Sequence, residues 1–399
     1  MLRTGAKAAW SPRAQPRVLA VGGALLIALV GCNDGRQQSA MGVAESAATA
    51  PPAAVSPVPA APAASSSAPV ASSATVISSA PVASVAVSSP SQLWPAPQAP
   101  DELALAADGT LYIADRIENA IYKRTPAGAF SVIAGTGVAG FTGDGGPATA
   151  AELNDPSGML VEPDGTLLFV DGMNNRLRAV GPDGRISTVA GNGQFAEVTR
   201  PGAATAEPVG DPKDVAVDGR GGYYIATASQ LLRLTNGQLS VVAGNNPLEG
   251  VVGIGGPALS GSVDGPGSIA VDKAGGIYVA GQNTKTLLYI TPNGTLTKLS
   301  DDFYVRGWGG LRSAPDGSVI GINTLSVVRY RGSVSTTIYP LASTTDPRLE
   351  NVELNGLAVS TSGDIYVSSD GNSGYNGTPL LMRIDAAGEA TILWAGTPT

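Results

Sequence analysis

A glycine that leads into a short β-rich run recurs six times in this 399-residue chain, at Gly109, Gly165, Gly221, Gly275, Gly317 and Gly363. The spacings are 56, 56, 54, 42 and 46 residues. A period of this length marks an array of units that cannot bury their apolar faces alone and must stack on one another. The runs after the glycines include Leu111-Tyr112-Ile113-Ala114, Leu167-Leu168-Phe169-Val170, Ile277-Tyr278-Val279-Ala280 and Ile365-Tyr366-Val367-Ser368. Apolar tetrads of this kind, bounded by Gly and Asp, read as short buried strands. The Asp-Gly pairs before some of them signal tight hairpins.

Each glycine is preceded by another strand-like run, such as Met159-Leu160-Val161 or Ile269-Ala270-Val271. Each second run is followed by a third and a fourth, such as Leu231-Leu232-Arg233-Leu234 and Leu239-Ser240-Val241-Val242. Four strands per unit and six units predict an all-β fold, a six-bladed β-propeller with four-stranded blades over residues 100–399. Apolar residues make up 43% of the chain but aromatics only 5%, so its core must rest on Val, Ile, Leu and Ala.

The motifs in the first units resemble the NHL repeat of bacterial proteins. They are Val132-Ile133-Ala134-Gly135, the block Gly143-Asp144-Gly145-Gly146-Pro147-Ala148, and Asp171 followed by Asn174-Asn175-Arg176-Leu177-Arg178. A worn copy of the block stands at Gly255-Gly256-Pro257-Ala258. The resemblance is strong in two units, fades in the next two and is weak in the last two. It implies a disc of six blades used as a binding platform. Some six-bladed relatives are instead hydrolases, lactonases or lyases.

The chain has no histidine. That excludes Ser-His-Asp and Cys-His nucleophile systems, an imidazole base and His-ligated zinc or iron. What remains is carboxylate, amide and hydroxyl chemistry, including oxygen-ligated calcium. Aligned on the second strands, the inner-strand starts place Glu102 and Asp214 on alternate blades at the mouth of the central channel. With Asn355 or Ser157 they form the candidate set for calcium, the one cofactor expected if any is used. By resemblance to gluconolactonase-like propellers, that metal would polarise a lactone or ester carbonyl. The plainer expectation is that these are solvated turn residues. The 143–148 block lacks the lysine and helix of a P-loop and reads as a structural turn. Asp171 and Arg176 read as residues of one hairpin that pair with each other or with neighbouring backbone. Aromatic residues gather late, at Phe303, Tyr304 and Trp308 before the fifth unit and at Tyr375 in the 371–377 insertion. Exposed aromatics among Gly and Asn suit stacking on sugars or anchoring of a protein, so these four are the candidate ligand-binding residues.

Residues 1–31 carry Arg3, Lys7, Arg13 and Arg17 and no acid, and end in a 13-residue apolar run at 18–30. That run is too short to span a bilayer and reads as a signal-peptide core. It closes in Leu29-Val30-Gly31-Cys32, which resembles a bacterial lipobox, and Cys32 is the only cysteine. Lipidation at Cys32 is therefore expected, with the membrane as one partner and Asn33 favouring the outer membrane in a Gram-negative cell. Residues 32–99 form a stalk rich in Ala, Ser and Pro, uncharged from residue 46 onwards. Such a composition predicts a disordered, partly polyproline linker, whose uncharged part at 46–100 would reach on the order of 170 Å if fully extended. Cleavage before Cys32 removes four bases and takes the formal charge from −8 to −12. That balance argues against nucleic acid, whose phosphates require clustered Lys and Arg. A monomeric envelope-binding module for protein, peptide or polysaccharide is the functional expectation, with a metal-assisted hydrolase as the alternative.

Overall fold

The computed structural model describes residues 95–396, apart from 245–249, 264, 283, 304–308, 324–325, 341–351 and 372–377. The signal segment, Cys32 and nearly all of the stalk fall outside these residues. Six antiparallel four-stranded sheets follow one another in the chain, at 100–134, 156–190, 214–243, 266–300, 311–340 and 357–395. These are blades 1 to 6. Each inner strand touches that of the next blade, and the last touches the first, so the sheets close a ring. The six repeat glycines sit in the hairpins between first and second strands with φ between 81° and 90°. An L-residue with a Cβ is strained there, which is why glycine marks the repeat.

The core lies between blades rather than within them. Six apolar clusters of the described residues fill the six junctions. Strand alternation explains this: Leu103 and Ile113 of blade 1 face blade 6, whereas Ala104 and Ala114 face blade 2. A lone blade would leave both faces wet, so the ring must fold as a unit. Each blade is one contiguous segment, and closure uses no exchanged strand. Blade 6 meets blade 1 through side chains. Phe130 and Trp394 stack edge to face at 5.9 Å, and Arg124 donates to the Leu393 carbonyl.

A clip recurs within the later blades. The third strand offers Arg233, Tyr289, Arg329 or Arg383 to a carboxylate of the first hairpin, respectively Asp218, Asp272, Asp316 and Asp364. Small additions unforeseen in the repeat are the edge strand Gly202–Ala203 on blade 3 and the two-stranded ribbon of Val251–Val252 with Ser262–Val263.

Candidate functional site

The inner strands start on one face of the ring, here the upper face. Glu102 stands in the inner strand of blade 1, Asp214 opens that of blade 3, and Ser268 lies in that of blade 4. All three are wholly buried. The two carboxylates do converge, but neither as solvated turn residues nor around a metal position. Arg312, from the inner strand Leu311–Ser313 of blade 5, stands between them. Its Nη2 donates to Glu102 Oε2 at 2.8 Å and its Nη1 to Asp214 Oδ2 at 3.1 Å. The Ser268 hydroxyl and the Ile269 N–H also donate to Asp214 Oδ2, and the Ser268 oxygen accepts the Leu311 N–H. A Cβ on residue 309 would lie 1.9 Å from Glu102 Oε1, so any side chain there would displace this carboxylate.

Burial pushes the Glu102 carboxyl well above the usual range, and Asp214 and Asp101 add to the shift while Arg312 opposes it. Asp214 rises for the same reason, against the pull of Arg312 and its hydrogen-bond donors. This arrangement does not suit calcium, which takes six to eight oxygen ligands. A cation already bridges the two carboxylates, and among the described residues no three acidic, His or Cys side chains are grouped for a metal. Asn355 turns to Asp101 instead, donating to its Oδ1 at 3.2 Å.

Asp101 anchors a second cluster beside the first. Arg116 Nε lies 3.0 Å from Asp101 Oδ2 and 3.3 Å from Asp155 Oδ1 of the next blade's approach. Burial raises the Asp101 carboxyl to about 6 in spite of Arg116, with Asp370 and Asp155 adding to the rise. The Ser368 hydroxyl of blade 6 donates to the Asp101 carbonyl, so the cluster also joins the ends of the ring.

Around the mouth, the hairpin tips of blades 1 and 2 are braced alike. Asn119 and Asn175, both left-handed, accept the N–H of Asp155 and Asp211 through their side-chain oxygens. The Asp115 carboxylate accepts the N–H groups of Gln98, Ala99 and Glu118. From these fixed tips Ile117 and Met173 project outward, each 66% exposed, and Phe195 on the following connector is 74% exposed.

The GDGGPA block is structural, and its aspartate finds an unforeseen partner. Asp144 Oδ1 accepts from buried Arg178 at 2.8 Å and Oδ2 from the Thr188 hydroxyl at 2.6 Å. Arg178 also donates to Asp171 Oδ2 and to the carbonyls of Glu152 and Thr142. Asp171 therefore pairs with Arg178. Arg176, its register partner on the hairpin, donates instead to the Asn174 and Asn192 carbonyls under the Phe141 ring.

Of the aromatic candidates, Phe303 is 1% exposed and packs edge to face on Tyr330 at the junction of blades 4 and 5. Gly321 leaves the space for its ring, since a Cβ there would come within 3.0 Å of it. As a surface ligand contact it is corrected to a core residue. Tyr304, Trp308 and Tyr375 lie outside the described residues, as does Cys32. Arg312 was not foreseen, although one signal was present: it is the only basic residue in the six inner strands.

The family of the teneurin NHL domain matches residues 122–218. Teneurin-3 of Mus musculus is 25% identical over 306 residues, covering 62% of this chain and 11% of that protein. The chain thus corresponds to about a tenth of the length of that relative. Virginiamycin B lyase of Staphylococcus aureus shares 13% identity over 74% of this chain and 84% of its own, with a TM-score of 0.45. The calcium-binding protein regucalcin of Agrobacterium tumefaciens shares 12% over 68% of this chain and 82% of its own, with a TM-score of 0.44. Residues 100–395 form a six-bladed propeller, and the NHL match spans blade 2 with parts of blades 1 and 3.

Proposed function

We propose that this propeller is a non-catalytic binding module, held at the cell envelope by lipid on Cys32, whose upper face takes a protein partner. The observation that carries the reading is the set of Ile117, Met173 and Phe195, exposed on one face, two of them on braced tips. Large apolar side chains held rigidly in water are the composition of an interaction surface, and preformed loops lose little entropy on binding. Methionine and isoleucine offer little to a sugar ring, which favours protein over polysaccharide. The hydrolase alternative has less support, because Arg312 fills the position between the two channel carboxylates.

The test is crosslinking in intact cells with the full chain and the double variant I117D/M173D. The module reading expects a specific crosslinked protein that the double variant loses while its melting temperature holds. An identical crosslinking pattern in both would remove this face from the proposal. Lipid attachment is tested apart: Cys32→Ala moves the protein out of the membrane fraction, and unchanged fractionation refutes the anchor.

A further inference from the structure

The first hairpin of every blade lies on the lower face, opposite Glu102 and Asp214. In blades 1, 2 and 5 the residue before the hairpin glycine is aspartate, and its carboxylate accepts an N–H two residues on. Asp108 takes Thr110 at 2.8 Å, Asp164 takes Thr166 at 2.9 Å and Asp316 takes Ser318 at 3.0 Å. The tips of blades 1 and 2 are therefore negative, while Asp316 of blade 5 is held by Arg329 and Arg331. Blades 3 and 4 break the pattern. Their turn carboxylates stand two positions earlier, at Asp218 and Asp272, and are turned inward. Asp218 accepts the N–H groups of Arg220 and Gly222 and the guanidinium of Arg233. Asp272 accepts the N–H groups of Ala274 and Gly276 and the Tyr289 hydroxyl. With the capping done from inside, these two turns carry Arg220 and Lys273.

Each of these cations leans on the next blade. Arg220 Nη2 lies 3.3 Å from the place a Cβ would take on Gly275, and the Lys273 stem lies 2.7 Å from that place on Gly317. Together they edge a cleft of about 390 Å³ whose other lining includes Val217, Val271, Ala314 and Pro315, and also Asp218 and Asp272, whose carboxylates are already taken by N–H groups, Arg233 and Tyr289. Most arginines of the ring are committed: Arg116, Arg178, Arg233, Arg312, Arg329 and Arg383 all pair with carboxylates. Neither Arg220 nor Lys273 forms an ion pair with a described residue. A chain of net charge −8 thus presents, at the edge of one cleft, two cations that pair with no described carboxylate.

We infer that this lower cleft between the hairpins of blades 3, 4 and 5 binds an oxyanion, a phosphate ester whose organic part rests on Val217 and Pro315. A guanidinium offers a planar fork to phosphate oxygens and an ammonium adds a mobile point charge. The volume suits a small ligand. The site is remote from the upper face and does not depend on the function proposed for it.

The test is calorimetric titration of the full-length C32A chain with phenyl phosphate at low salt, so that no acyl group contributes and screening is small. Saturable binding is expected, weakened about tenfold or more by R220Q and by K273Q, since a charge-assisted hydrogen bond is worth that much. K123Q, which neutralises a cation of blade 1, leaves it unchanged. No saturable heat, or wild-type affinity in both R220Q and K273Q, overturns the site. Inorganic phosphate should bind more weakly than phenyl phosphate, and equal affinity overturns the role of Val217 and Pro315. Flotation with phosphatidylglycerol vesicles, measured on the same variants, separates the sources. Capture that depends on Arg220 assigns a lipid headgroup. Absence of capture with phenyl phosphate binding intact assigns a soluble ester.

Discussion

Arg312 reaches Glu102 at 2.8 Å and thereby ties blade 5 to blade 1, a blade it does not adjoin in the ring. Its other nitrogen ties it to Asp214 of blade 3. Among the described residues the six apolar junctions join neighbouring blades, as do polar links such as Arg116–Asp155 and Asn355–Asp101. Arg312 connects alternate blades through the middle, and both of its partners are wholly buried.

Arg312→Met leaves two buried carboxyls without a cation and should cost about 3–5 kcal/mol, the usual result of removing one member of a buried pair. Adding Glu102→Gln and Asp214→Asn to that variant should restore most of the loss, because no uncompensated charge remains. Urea unfolding of the three proteins at neutral pH decides it. A loss below about 1 kcal/mol for the single variant would mean that water reaches the carboxylates.

The same burial sets a pH dependence of unusual sign. Asp101 is raised to about 6, and Glu102 and Asp214 are raised as well. Below the ordinary carboxylate range these groups are protonated in both states. As pH climbs from about 4 through 6, the unfolded chain releases its protons first. Stability therefore falls with rising pH in that window, by up to about 1.4 kcal/mol per pH unit for each group. Asp218 is depressed, and Asp316 is lowered to about 2, so they act in the opposite sense below pH 4. Urea midpoints from pH 4 to 7 should decline, and Asp101→Asn should flatten the slope. A midpoint rising across this window in the wild type would contradict the assignment.

The blades were legible because hairpin glycines and strand tetrads are local signals, each set by φ and by alternation within a few residues. Glu102 and Asp214 could be placed at the channel mouth by the same counting. Their environment could not, because Arg312 arrives from 98 residues beyond Asp214 and enters only through ring closure. Phe303 misled for a related reason. A Phe beside Tyr and Trp in a connector looks exposed, and only Gly321 on a later strand reveals the space that takes its ring. Arg176 and Arg178 differ by two residues and share a strand face, so sequence alone could not choose between them as the partner of Asp171.

Arg178 offers a graded test within blade 2. Its guanidinium is 0% exposed, as is Asp171, whereas Asp144 is 38% exposed. Arg178→Leu strands Asp171 in the interior and should cost about 3–5 kcal/mol. Asp144→Ala removes a solvent-screened partner and should cost about 1 kcal/mol. Equal losses in denaturant titrations would show that the GDGGPA loop, rather than the buried pair, holds the blade together.

Closure without a shared strand makes the seam between blades 6 and 1 the place where the ring should open first. Leu103, Ile113 and Tyr122 meet Ala358, Leu381 and Trp394 there, with no backbone ladder across the junction. Gln98 and Gly396 line one cleft, so a short Gly/Ser linker can join the two ends of the ring. Reopening the chain at Asn236-Gly237, the turn between the last two strands of blade 3, divides that blade between the new termini. Its outer strand then pairs from the other end of the chain, along the ladder from Leu231↔Ala243 to Thr235↔Gln238. Each backbone hydrogen bond of such a ladder contributes about 1 kcal/mol. The permutant should fold to the same ring and unfold more slowly than residues 95–399 in native order, as read by stopped-flow dilution into denaturant. An equal or faster unfolding rate would place the weak point of the ring elsewhere than this seam.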